Sequence, residues 1–153
     1  MFKDEHKPVV YILALEPSGD FIGSALINSL RHKTNGMIRI VGVGGDLMKK
    51  SGLESLFDPK DLSILGIIEV IPKLLIIFRR LFETIDHINN TSPDIFISID
   101  SWGFTGFIHN YLRRNNKLIK RFRYVAPQVW AWRPGRAKKL SYLVDHLLTL
   151  FPF

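Results

Sequence analysis

Asp94-Ile95-Phe96-Ile97-Ser98-Ile99-Asp100, running on into Ser101-Trp102-Gly103-Phe104, is the stretch that decides the fold. An apolar, β-rich run that ends in an acid and a glycine predicts a buried parallel strand over 94–99. Such a strand delivers the Asp100 carboxylate to its C-terminal edge, where open α/β sheets keep their chemistry. Position alone leaves two roles open to Asp100. It can cap a helix beginning near Phe104 or Thr105, or it can be a catalytic group at a crevice.

The same grammar recurs on both sides of this stretch. Residues 9–15 form a continuous apolar run ended by Glu16-Pro17-Ser18-Gly19-Asp20, after which Ile22, Ala25, Leu26, Ser29 and Leu30 fall at helical spacing. Residues 39–43 meet Gly44-Gly45-Asp46, residues 123–126 meet Pro127, and residues 145–150 read as one more strand. Strands alternating with helical stretches predict βαβ crossovers: an α/β fold with a Rossmann-like parallel sheet flanked by helices. The loops with Pro17, Gly19, Gly44, Gly45, Gly103 and Pro127 then share one sheet edge and one crevice. No repeat or linker divides the chain, so one domain over 1–153 is expected. The apolar ending Leu150-Phe151-Pro152-Phe153 predicts a fragment.

Composition narrows the classes of function. A chain of 153 residues with 46% apolar content can bury a real core. Twenty-one Lys and Arg against fourteen Asp and Glu give +7, which favours anionic partners. Cysteine is absent, and His6, His32, His87, His109 and His146 show no ligand spacing, so neither a metal nor a cofactor is implied. Residues 1–8 carry acids and lack a long apolar core, unlike a secretory signal, so a cytoplasmic location is expected.

The most apolar segment is residues 64–82. Glu69, Pro72 and Lys73 interrupt it before the ~20 clean apolar residues of a spanning helix. From Pro72 a helix is predicted towards Asn90, with Leu74, Leu75, Phe78, Leu81, Phe82 and Ile85 on its apolar side. That face is either core or a membrane-contact patch. In the second case Ile64, Leu65, Ile67, Ile68, Leu74, Leu75 and Phe78 dip into lipid while Lys73, Arg79 and Arg80 meet acidic headgroups.

Three loops could carry chemistry. Glu16-Pro17-Ser18-Gly19-Asp20 sets two acids, a hydroxyl and a glycine at a helix N-terminus, where free N–H groups attract anions; alternatively Ser18 or Asp20 merely caps the helix. Gly42-Val43-Gly44-Gly45-Asp46-Leu47 has leucine at the place of the third glycine of a dinucleotide fingerprint and follows the second strand, so a nicotinamide site is disfavoured. Trp130-Ala131-Trp132-Arg133-Pro134-Gly135-Arg136 joins aromatic faces to guanidinium groups, which suits sugars and phosphates as well as core closure. The stretch 113–139 has no acid, yet it lacks any nucleic-acid recognition signature, so no nucleic-acid partner is expected.

Read together, these motifs resemble the lipid-A-disaccharide synthases. The likeness rests on E-P-S-G-D at 16–20, G-V-G-G at 42–45, L-G-I-I-E-V at 65–70, I-D-S-x-G-F at 99–104, V-W-A-W-R-P-G-R at 129–136 and the closing F-P-F. The resemblance implies the N-terminal, acceptor-side half of a GT-B glycosyltransferase, with the C-terminal nucleotide-sugar domain absent. It implies metal-free transfer, with inversion, of 2,3-diacylglucosamine from UDP-2,3-diacylglucosamine to 2,3-diacylglucosamine 1-phosphate, forming a β-1,6 disaccharide at the inner-membrane surface. It further implies Asp100 as general base, Glu16, Ser18, Gly19 and Asp20 as shapers of the acceptor site, and residues 64–82 as the peripheral membrane contact. Arg133 and Arg136 are candidates for the acceptor phosphate. Leu15 stands where the family usually has glycine, and Trp102 where proline is common. The chain alone is expected to be inactive; a non-catalytic lipid-binding or interaction remnant is the alternative.

Overall fold

A computed structural model describes residues 7–62, 70–126 and 135–150. Strands β1 (Val9–Ala14), β2 (Arg39–Val43), β3 (Glu54–Ser55), β4 (Ile95–Ile99), β5 (Lys120–Tyr124) and β6 (His146–Leu148) form a parallel sheet in the order β3-β2-β1-β4-β5-β6. Between them run helices α1 (Pro17–Lys33), α2 (Asp46–Lys50), α3 (Val70–Thr91), α4 (Trp102–Asn115) and α5 (Gly135–Leu143), with a short 3-10 turn at Pro59–Leu62. This is the Rossmann-like α/β arrangement, and its strand order reverses between β1 and β4.

Alternation along β1 explains the two layers. Val10, Ile12 and Ala14 point to one face, where Ile27 of α1 and Met48 of α2 complete a core with Ile97 and Ile99. Val9, Tyr11 and Leu13 point to the other, against Ile88 of α3 and Ile108 and Leu112 of α4. A strand buried on both faces has to be apolar throughout, which is why residues 9–14 read as an unbroken run. Each fully buried side chain of this size contributes about 1.5–3 kcal/mol.

Several boundaries differ from the sequence expectation for physical reasons. Helix α1 begins at Pro17, so Ser18, Gly19 and Asp20 form its first turn rather than a loop; proline at the first helical position has its φ already set. Strand β5 is Lys120–Tyr124 rather than 123–126, because Arg121 and Arg123 are buried inward-facing residues that a hydropathy pattern reads as solvated. Strand β3 is only two residues long and leaves no periodicity to read. Helix α4 starts at Trp102, two residues before the expected point.

Candidate functional site

The reversal between β1 and β4 opens a crevice at their C-terminal ends, and the strand register determines what lines it. Ala14 pairs with Ile99, so the next residues along each strand are Leu15 beside Asp100 and Glu16 beside Ser101. The Ser101 hydroxyl donates a 2.9 Å hydrogen bond to Glu16 Oε1. Glu16 is the N-cap residue of α1, but its side chain makes no capping bond, since it serves Ser101 instead.

Asp100 and Ser101 both adopt left-handed backbone conformations, with φ of 55° and 41°. Non-glycine residues pay for such geometry, on the order of 1–3 kcal/mol each at sites where surrounding structure enforces it. Here the turn directs the Asp100 carboxylate back under the first turn of α1. A Cβ at Gly19 would lie 1.8 Å from Asp100 Oδ2, so only glycine permits this approach. Gly19 is therefore held against Asp100 by close packing.

Both Asp100 oxygens are covered, and neither has an aligned hydrogen-bond partner among the described residues. Burial pushes the carboxyl up to about 6, and the Glu16 charge adds to the rise; contacts with Ser101, the Leu15 amide and the Arg123 charge pull the other way. Those contacts with Ser101 and Leu15 fall short of hydrogen-bond geometry, the Ser101 proton being committed to Glu16. A carboxylate tuned towards neutrality is suited to proton transfer. It reaches a substrate only if Ser101 or its own side chain turns outwards.

The opening lies next door. A cavity of about 720 Å³ is walled by Leu74, Phe78 and Leu81 of α3 and Phe104 and Phe107 of α4, and Glu16, Ser101 and Gly103 form its polar end. Its size is that of a small-molecule site, and its lining is mostly apolar with a few polar groups at one end. Beyond it, α3 exposes Leu75 (78%), Phe78 (51%) and Phe82 (66%), joined by Phe107 (64%) on α4. No helix among the described residues is long and apolar enough to cross a membrane.

Three residues missed in the sequence reading, Arg123, Thr105 and Ser101, organise this site. Arg123, 2% exposed, donates from Nη1 to Thr105 Oγ1 at 3.1 Å, and Thr105 in turn donates to the Ser101 carbonyl at 3.0 Å. Its guanidinium lies 5.2 Å from the Trp102 ring centroid. Burial lowers Arg123 to about 10, while Asp100 and Glu16 support its charge. A chain Arg123–Thr105–Ser101–Glu16 thus runs from the sheet interior to the cavity rim. The signal for Arg123 was its period-two spacing from Arg121; for Ser101 it was adjacency to Asp100.

The other expected residues divide. Ser18 is exposed on the first turn of α1. Asp20 leaves the crevice for α2, where Oδ2 accepts from the Leu47 N–H and Oδ1 from the Met48 N–H, both at 3.0 Å. It caps α2 across space rather than its own helix. Leu74, Leu75 and Phe78 lie on α3 as expected, whereas Ile64, Leu65, Ile67 and Ile68 lie outside the described residues. Arg133 also lies outside them, as do Trp130, Trp132 and the side chain of Arg136.

A reversed-order parallel sheet with an acid-bearing switch point and an adjoining apolar cavity defines a Rossmann-like domain of the type forming the N-terminal part of GT-B glycosyltransferases. Comparison with known proteins makes the assignment specific. Residues 10–153 match the lipid-A-disaccharide synthetase family, and the chain belongs to it. It is 42% identical over 144 residues to the lipid-A-disaccharide synthase of Paramagnetospirillum magneticum and 42% over 148 to that of Rhodospirillum centenum, covering 94% and 96% of this chain. With the enzyme of Gluconobacter oxydans identity is 45% over 145 residues, 95% of this chain. The chain spans only 34–37% of the length of these three relatives.

Proposed function

We propose that the chain is the acceptor-side part of a lipid A disaccharide synthase. The observation that carries this reading is the apolar cavity between α3 and α4, whose polar end is formed by Glu16 and Ser101 beside Asp100. A diacylated sugar needs this combination: a trough for acyl chains and a carboxylate at the sugar hydroxyl.

In this reading 2,3-diacylglucosamine 1-phosphate enters with its chains along α3 and its glucosamine ring at the Glu16–Ser101 rim. Its hydroxyl displaces Ser101 from Glu16, the strained Asp100–Ser101 turn relaxes, and Asp100 swings to accept the proton. The freed oxygen attacks the anomeric carbon of UDP-2,3-diacylglucosamine opposite UDP, the bond to UDP breaks, and the β-1,6 link forms with inversion. Arg123 acts through Thr105 to hold Ser101, and Ser18 and Gly19 shape the acceptor pocket. Arg133 and Arg136 are the proposed partners of the acceptor phosphate. The exposed apolar residues of α3 rest on the inner membrane, which keeps the acyl chains out of water throughout. The nucleotide-sugar contacts come from sequence corresponding to the remainder of the relatives, so this chain alone does not turn over.

The test is a fusion of this chain to the C-terminal remainder of the Paramagnetospirillum magneticum relative, assayed for UDP release with both substrates. The isolated chain should release none and the fusion should be active. Asp100→Asn in the fusion should cut turnover by at least about a thousandfold, in the range of losing a general base together with its positioning. Turnover within a few-fold of the unsubstituted fusion would remove Asp100 from the chemistry. The covered position of Asp100 favours one second reading, in which exposed Glu16 takes the proton; Glu16→Gln would then carry the larger loss.

A further inference from the structure

The rim of the sheet opposite the crevice carries a second cavity, of about 440 Å³, lined by Arg113, Arg114, Lys117, Arg121 and Tyr142. It is remote from the Asp100 site. Arg114 is eleven positions from Gly103 along α4, about 16 Å at 1.5 Å per residue. Arg121 pairs with Phe96 near the start of β4, four residues and about 13 Å of extended strand from Asp100.

Cations in the last turn of a helix are ordinary, since they face the negative end of its dipole, and Arg113 and Arg114 need no ligand to explain them. Arg121 does. It is 5% exposed and spends Nε and Nη2 on Asp145, at 3.1 and 2.7 Å. Its Nη1 is buried with no partner among the described residues, and the side chain lines the cavity. A buried charged donor left unmatched is costly, and such groups normally find an acceptor. Of the four cations that line the cavity, only Arg121 is paired with a carboxylate among the described residues, that of Asp145, and no described acid pairs with Arg113, Arg114 or Lys117. Arg113 is held with its guanidinium 3.8 Å from the Tyr142 ring centroid, which orders one wall.

We propose that this cavity is an anion site for a phosphate-bearing ligand, independent of the acceptor crevice. The lining is guanidinium, ammonium and phenol, with no aliphatic side chain, which suits a compact oxyanion and not an acyl group. Several converging guanidinium groups match the tetrahedral, multi-acceptor oxygens of phosphate better than the two of a carboxylate. The phosphate can belong to a free anion or to a lipid headgroup, and the chemistry is shared.

Calorimetric titration of the 153-residue chain with inorganic pyrophosphate at low salt tests this. The expected result is saturable one-to-one binding, weakened about tenfold or more by Arg121→Met and by the surface double variant Arg114→Gln/Lys117→Gln, as loss of charge-assisted bonds predicts. Arg121→Met removes the partner of Asp145 and can lower stability, so the double variant, checked by circular dichroism, decides where that occurs. Flotation on phosphatidylglycerol vesicles separates the sources. If the double variant floats less well than the unsubstituted chain, the anion is a headgroup; if it floats equally while pyrophosphate binding is weakened, the anion is free. Heat that never saturates, or saturable binding that both variants leave unchanged, overturns the proposal.

Discussion

Asp100→Asn should stabilise the chain at neutral pH while removing the proposed base, and the size of the effect follows from the site. The carboxyl is raised from 3.8 to about 6, chiefly because burial disfavours its charge. Its folded value exceeds its unfolded value, so the folded state binds the proton more tightly. Stability is therefore lost as pH rises from about 4 to about 6 and stays lost above that. At full strength the cost of the ionised group is about 3 kcal/mol; solvent screening at the partly open rim reduces it to about 1–2 kcal/mol. Asparagine has the same shape and no charge to bury. Urea unfolding of both proteins at half-unit steps from pH 4 to 8 isolates the term, because every other titration cancels in the difference. The two curves should meet near pH 4 and part by about 1–2 kcal/mol above pH 6, with the variant more stable. A flat difference, or an unsubstituted chain that gains on the variant with rising pH, would show instead that Arg123 pairs with Asp100 strongly enough to outweigh burial.

Gly19→Ala should lower stability by about 1–2 kcal/mol: overpacking against Asp100 Oδ2 and Cγ, 1.8 and 2.8 Å from the new Cβ, exceeds the helix-propensity gain. Placed on Asp100→Ala the same change should become neutral or stabilising in a double-mutant cycle, and an unchanged penalty would mean that Gly19 does not press on the carboxylate. Asp20→Ala should cost about 1–2 kcal/mol in urea denaturation by orphaning the Leu47 and Met48 N–H groups, with Asp20→Asn, which keeps one acceptor, costing about half. Leu75→Ser/Phe82→Ser, at residues 78% and 66% exposed, should leave unfolding within about 0.5 kcal/mol yet reduce partitioning onto phospholipid vesicles by more than about tenfold. Unaltered sedimentation with vesicles would take the membrane contact away from α3.

What could be read from sequence was local, and what could not was the meeting of distant segments. The runs 9–14 and 95–99 announced buried strands because both of their faces are covered, and Pro17 and the acid-glycine endings marked their exits. Arg121 and Arg123 hid β5, since a charged residue inside a sheet inverts the pattern by which strands are found. Asp20 sits within a loop motif yet spends both oxygens on residues 27 and 28 positions away, a partnership no local spacing records.

The Glu16–Ser101 bond shows where the missing information resides. It joins residues 85 apart, of which Glu16 was singled out within its own loop while Ser101 stood only as a neighbour of Asp100. Once β1 and β4 are known to be adjacent, with Ala14 opposite Ile99, parallel register makes the bond almost unavoidable, since position 16 then stands beside position 101. Adjacency itself comes from the reversal of strand order, which places the third crossover on the opposite face from the first two. The polar end of the cavity is thus a product of topology: the E-P-S-G-D and I-D-S-x-G-F motifs each supply one side of it, and neither is a site until the sheet puts them two residues past a shared pair.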